Sequence, residues 1–248
     1  MTRVVRLLVL AASLLALGIP VRAAEPVDLL LVLASDVSRS VDTRKFQLQR
    51  EGYAAALSNP KVIEAIRSGP HGRIAICFVE WSGVTSQKLV IDWTIVSDAA
   101  SARRIGDQML ELPRTFADRT SISAGIEFAM SQLARAPFET ARRTIDVSGD
   151  GTNNSGRDVT LARDEALAKG ITINGLVILS DSPLPWNPEH TNPPGGLDGY
   201  YRNNVIGGAG AFVMVADNHD SFGQAIVKKM IAEIAWAPAP RGVMAILR

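Results

Sequence analysis

Apolar residues run almost unbroken from Val27 to Ser35 and stop at Asp36. An apolar run of that length without alternation predicts a central parallel strand covered on both faces. Beyond the polar stretch Asp36-Val37-Ser38-Arg39-Ser40, Asp42 is placed to cap a helix reaching about Leu57. Phe46, Tyr53, Ala54 and Leu57 share one face of it. Asn59-Pro60 breaks that helix, and a short helical turn over Val62 to Ile66 follows. Arg73 to Trp81 reads as a second strand, and Ser82-Gly83 as a hairpin turn into a third, Ser86 to Trp93. In the third strand Leu89 and Ile91 are expected to point one way, with Lys88, Val90 and Asp92 the other. So tight a connection makes it antiparallel and places it at an edge.

The second half repeats the strand–helix alternation. A helix begins at Ser97-Asp98 and runs to about Glu111. Thr120 and Ser121 lead into a helix to Ala134, with Ile122, Ile126, Met130 and Leu133 inward. Arg142 to Ser148 is a strand, and Gly149 to Asn154 a loop rich in glycine and oxygen. A helix to about Lys169 stops at Gly170, in the position that favours glycine. Ile171 to Ser180 is another buried strand. Ser182 to Gly196, rich in Pro, Gly and Asn, is long for a connection, and such loops are more often functional than structural. A short helix over Tyr200 to Val205 and a strand over Ala211 to Val215 come next. The final helix carries Phe222, Ile226, Met230 and Ile234 inward and takes its cap from Asp217 to Asp220. Together these elements predict an α/β fold of three layers, with a mostly parallel sheet and one antiparallel edge strand.

The first residues do not belong to that fold. Arg3 and Arg6 precede an apolar stretch from Leu7 to Leu17, and Val21-Arg22-Ala23 has the small-residue character of a cleavage site. This is the pattern of a secretory signal peptide. The expected division is a signal peptide over 1–23, one domain over 24–236 and a tail over 237–248. The protein is then periplasmic or secreted, with no stable membrane span after cleavage. The chain has 248 residues and a formal charge of +1. Without residues 1–23 it keeps 23 basic and 25 acidic residues, a formal charge of −2. With no long basic run, nucleic acid is not an expected partner. The single cysteine, Cys77, falls in the second strand and reads as buried, so no internal disulfide forms and packing carries the stability.

Three stretches carry candidate chemistry. Asp36, Ser38 and Ser40 follow the first strand, Thr120 opens a helix, and Asp150 follows a later strand between two glycines. In a doubly wound sheet all three reach the carboxyl end of the strands, where such folds place their sites. Two carboxylates and three hydroxyls, with no His or Cys, form a hard oxygen site suited to Mg²⁺, Mn²⁺ or Ca²⁺. The same Asp and Ser residues also suit a turn and a helix cap.

The set resembles the von Willebrand factor type A (vWA) family, whose metal-ion-dependent adhesion site combines Asp-x-Ser-x-Ser with a distant Thr and a distant Asp. The matching positions are Asp36, Ser38, Ser40, Thr120 and Asp150, and the resemblance covers about residues 27–235. Ile145 to Asn154, Ile173-Asn174-Gly175, Tyr200 to Gly208 and the final helix look like an exported, uncharacterised bacterial branch. The resemblance implies a Rossmann-like α/β/α fold and a divalent cation, Mg²⁺ first, bound directly by Ser38 and Ser40. Thr120, Asp36 and Asp150 would bind directly or through water. It also implies a protein partner whose exposed acidic residue completes the metal's coordination.

Two features depart from the family pattern or add to it. Arg39 stands where the family often has Gly. Asp146 lies inside a strand on the same side as Ser148 and Asp150, and is expected either to orient the metal shell from behind or to pair with a nearby Arg. Arg39, Asn153 and Trp186 are candidates for the periphery of a bound ligand, although Asn153 also has the chemistry of a turn former. The leading expectation is a non-enzymatic, exported binding module. A metal-dependent hydrolase or phosphotransferase using Asp36 is the alternative. It lacks a His by the site and a Lys in the matching loops, with His71, His190 and His219 expected at the surface or in caps. A structural module stiffened by its metal is the third reading.

Overall fold

The computed structural model describes residues 24–115, 117–180, 184–218 and 221–235. The expected signal peptide, the expected tail and the start of the 182–196 loop lie outside the described residues.

The elements in chain order are β1 (Glu25–Pro26), β2 (Leu30–Asp36), α1 (Thr43–Leu57), α2 (Pro60–Arg67), β3 (Ile74–Trp81) and β4 (Gln87–Val96). Then come α3 (Ala99–Glu111), α4 (Ile122–Ala134), β5 (Phe138–Glu139), β6 (Arg143–Gly149), α5 (Val159–Ala168) and β7 (Thr172–Ile178). The last are α6 (Pro188–Thr191), α7 (Gly196–Tyr200), a π-helical turn over Tyr201–Val205, β8 (Val213–Ala216) and α8 (Phe222–Ala235). Six strands form one sheet in the order β4-β3-β2-β6-β7-β8, parallel throughout except for the β3–β4 pair at the edge. The two-residue strands β1 and β5 pair with each other and were not expected, being too short to carry a period.

Why the central strand lacks alternation is visible in its two faces. Leu31 and Leu33 enter one core with Tyr53 and Leu57 of α1, Ile66 of α2, Ile105 of α3 and Ile226 of α8. Leu30, Val32 and Ala34 enter the other with Ile122 and Ile126 of α4, Ala162 of α5 and Tyr201. Every residue of β2 is therefore buried, and the chain folds as three layers. The helix boundaries follow local chemistry. Asp42 accepts from Lys45 N (2.8 Å) at the start of α1, Asn59 caps α2 ahead of Pro60, and Gly170 ends α5 at φ +68°.

The edge strand corrects one expectation. Leu89 and Ile91 do not share a face: Ile91 packs into the first core and Leu89 into the second. The β3–β4 register shifts between Ile76 and Phe78 and again between Phe78 and Val79. Such irregularities interrupt the period of two, so Ile91 lies opposite Phe78 and Leu89 opposite Val79, one partner from each core.

Candidate functional site

β2 and β6 are neighbours in parallel register, with Ser35 opposite Ser148. Their carboxyl ends therefore deliver Asp36 and Asp150 to the same place. The third stretch is tied there by backbone: Ser121 N donates to Ser82 O at the end of β3 (2.7 Å), and Asn154 N donates to Thr120 O (2.9 Å). All five residues, Asp36, Ser38, Ser40, Thr120 and Asp150, are buried. Four are linked directly. Asp36 Oδ1 accepts from Ser38 N (2.7 Å), the Ser38 and Ser40 hydroxyls lie 3.1 Å apart, and Ser40 Oγ donates to Asp150 Oδ1 (2.5 Å).

Asp36 has an unusual environment. Its Oδ2 is buried and has no hydrogen-bond partner among the described residues. Burial, together with the neighbouring Asp150 charge, pushes the Asp36 carboxyl up to about 7, against the opposing pull of the Ser38 N–H and of Arg114. Gly149 makes room for this arrangement. A methyl group there would fall 2.6 Å from the Tyr201 hydroxyl and 3.1 Å from Asp36 Oδ2. Tyr201 is fully buried, and its hydroxyl also has no partner among the described residues.

Several neighbours were not legible in the sequence. Lys45 of α1 reaches back, donating to Ser40 O (2.9 Å) and lying 3.5 Å from Asp150 Oδ2. Arg114 donates to Val37 O (2.5 Å) and Ser38 O (2.7 Å), clamping the first loop. The expectation that no His stands by the site is corrected: His190, in α6 of the long loop, is buried with Nε2 3.2 Å from Thr120 Oγ1. The network fixes its tautomer. Asn154 Oδ1 accepts from Thr120 N (2.9 Å), so the Asn154 amide group faces His190 Nδ1 (3.3 Å) as donor. Nε2 then carries the proton and donates to Thr120. Burial holds the imidazole below its ordinary value, against the attraction of Asp150.

The peripheral candidates fall in different places. Arg39 and Trp186 line a groove of about 500 Å³ that borders Ser40, Thr120 and His190, and Trp186 is 77% exposed. Asn153 Oδ1 accepts from Ser123 N (3.1 Å) while its amide donates to Arg157 O, so that side chain is engaged in fixing the loop to α4. Asn154, not Asn153, lines the groove. Asp146 finds its basic partner in Lys229 (2.7 Å), not in an Arg, and Lys229 also pairs with Glu233.

A divalent cation fits this chemistry. Two buried carboxylates stand together, one with an orphaned oxygen, and burial disfavours its charge unless a cation compensates it. Among the described residues no three His, Cys, Asp or Glu side chains gather into a cluster, so hydroxyl oxygens must complete any donor set. Such a set suits a hard ion.

The architecture defines the class: this is a vWA fold. The chain belongs to the family described as "Protein of unknown function (DUF1194)", which matches residues 26–238. No curated protein matches it. Among solved structures it is similar to proximal thread matrix protein 1 from the mussel byssus, at 13% identity and a TM-score of 0.58. That match covers 85% of this chain and 47% of the mussel protein, and one structure of the latter has a zinc-occupied adhesion motif. It is also similar to the pilus adhesin SpaC of Lactobacillus rhamnosus GG, at 11% identity, 0.58, and 86% and 31% coverage. A von Willebrand factor type A protein from Catenulispora acidiphila matches at 13%, 0.53, and 84% and 43%. The chain thus spans less than half the length of each of these proteins. Among the described residues no helix is long and apolar enough to cross a membrane.

Proposed function

We propose that this chain is an exported, metal-dependent protein-binding module of the adhesion type, folded as one domain over residues 24–236. Asp36, Ser38, Ser40, Thr120 and Asp150 hold one divalent cation, Mg²⁺ in the first place, with Mn²⁺ and Ca²⁺ as alternatives. The cation's outward side takes an acidic group from a protein partner. The observation that carries this reading is the orphaned, buried oxygen of Asp36 beside Asp150. A cation there compensates both carboxylates, and neutral hydroxyls leave it enough residual charge to attract an external carboxylate. That an adhesin and a byssal matrix protein share the fold accords with a binding role.

The hydrolase reading gains a histidine but not a base. His190 Nδ1 faces donors from Thr152 and Asn154 and Nε2 donates to Thr120, so neither nitrogen is left to take a proton from water. Calorimetric titration of Mn²⁺ and Mg²⁺ into the protein without residues 1–23 tests the proposal. Asp36→Ala and Asp150→Ala are expected to weaken binding by at least about tenfold, since each removes a charge from a two-carboxylate site. Equal affinity in all three proteins would overturn it.

A further inference from the structure

The groove beside the site has its own composition. One side is Arg39, inside the Asp-x-Ser-x-Ser loop, with Arg119 next to Thr120; both are exposed. Among the described residues the Arg39 side chain makes one long contact, to Ala117 O (3.4 Å). The acid on this side, Asp118, also lines the groove, with Oδ1 accepting from Arg119 N (2.7 Å) and Oδ2 lying against Gly83. The groove therefore presents two arginines against one carboxylate, and that carboxylate already accepts a backbone hydrogen bond.

The opposite side is the loop that carries Trp186. Exposed tryptophan on a loose loop is poor evidence of a surface, but this loop is fastened. Thr152 N donates to His190 O (2.8 Å), Asn187 N to Leu184 O (3.1 Å) and Asn192 N to Pro188 O (2.9 Å), and His190 and Thr191 are buried beneath it. Trp186 stays 77% exposed on top of that support. A large aromatic held at the rim of a polar groove is the kind of side chain that anchors protein interfaces.

We propose that the groove takes an extended acidic segment of the partner protein. One carboxylate goes to the metal, a second acidic side chain lies between Arg39 and Arg119, and an apolar side chain rests on Trp186. This rests on the metal-dependent reading above and narrows it. A single metal–carboxylate contact admits any acidic surface, whereas this groove selects paired acids with an apolar neighbour. Its volume of about 500 Å³ admits a few side chains, not a folded element. Complementary charge sets which partner docks as much as how tightly it binds.

The test is selection of a displayed random-peptide library on the protein without residues 1–23 in Mn²⁺, followed by affinities of the enriched peptides as synthetic probes. Mn²⁺ affinity is measured separately for every variant. The expected result is metal-dependent enrichment of peptides with two acidic residues and an apolar one. Arg39→Ala with Arg119→Ala should weaken these peptides by about tenfold and abolish the advantage of the second acid. Trp186→Ala should weaken them while Mn²⁺ still binds. Enrichment of single-acid peptides, affinities unchanged in these variants, or no enrichment despite intact Mn²⁺ binding would each overturn the groove and leave the metal reading standing. Failure of the unmodified protein to bind Mn²⁺ would overturn both.

Discussion

Burial and the Asp150 charge favour a proton on Asp36 in the metal-free folded protein more than in the unfolded chain. The Asp36 carboxyl is pushed up to about 7 by burial and by Asp150, so between the ordinary carboxylate range and neutrality the folded state binds more protons. Stability of the metal-free protein should therefore fall as pH rises through that window, by a few kcal/mol, and level off above it. Saturating Mg²⁺ should flatten the slope, because the cation replaces the proton. Asp146, also pushed up to about 7 by burial, adds a slope that metal does not alter. The difference between chelator and Mg²⁺ therefore isolates Asp36. Urea midpoints measured from about pH 5 to about pH 8 with and without Mg²⁺ check this; parallel curves would contradict it. Asp36→Asn should remove the difference. At the same scale, Lys45, Arg114 and His190 show what a local motif omits. Arg114 and His190 touch the site from far along the chain, and Lys45 reaches back to it from the first turn of the next helix.

At the scale of elements, α8 is attached to the sheet through charge as well as apolar packing. Lys229 of α8 is fully buried against Asp146 of β6 and Glu233 of its own helix, and Asn174 of β7 donates to Glu233 Oε1 (2.8 Å). Removing only the lysine leaves two carboxylates buried without their cation. Lys229→Met should cost about 3–5 kcal/mol, whereas Lys229→Met combined with Asp146→Asn and Glu233→Gln should recover part of that loss. Denaturant unfolding of both variants measures it. The loop over the site depends on a glycine in a comparable way. A methyl group at Gly151 would collide with the His190 ring, so Gly151→Ala should release α6 from the Asp150 loop. Faster proteolysis within 184–192, with helix content unchanged, is the expected readout.

At the scale of the molecule, stability comes from two cores on either side of one sheet, without covalent staples. Cys77 is the single cysteine and is fully buried, and burial pushes its thiol well above the ordinary range. It should resist thiol reagents until the protein unfolds, and reductant should leave the melting temperature unchanged. A metal bound only by the folded state raises that temperature by mass action. At about 100 times its dissociation constant it adds about 2.7 kcal/mol, roughly 5–10 °C for a domain of this size. Thermal melts should show the shift in the unmodified protein and lose it in Asp36→Ala.

The sequence by itself determined the layered α/β architecture. Burial on both faces of β2 erases alternation, and helix caps and breakers are local, so Asp42, Asn59-Pro60 and Gly170 could be placed without knowing what surrounds them. It also singled out five polar residues, of which the parallel register of β2 with β6 joins Asp36 and Asp150. Only the tertiary structure decided the rest. The shifted β3–β4 register sends Leu89 and Ile91 to different cores, which a period of two cannot reveal. The buried Lys229, the imidazole against Thr120 and the fastened Trp186 loop depend on contacts between segments distant in the chain. Their energies arise from shared burial, and burial is a property of the assembled layers, not of any stretch of residues.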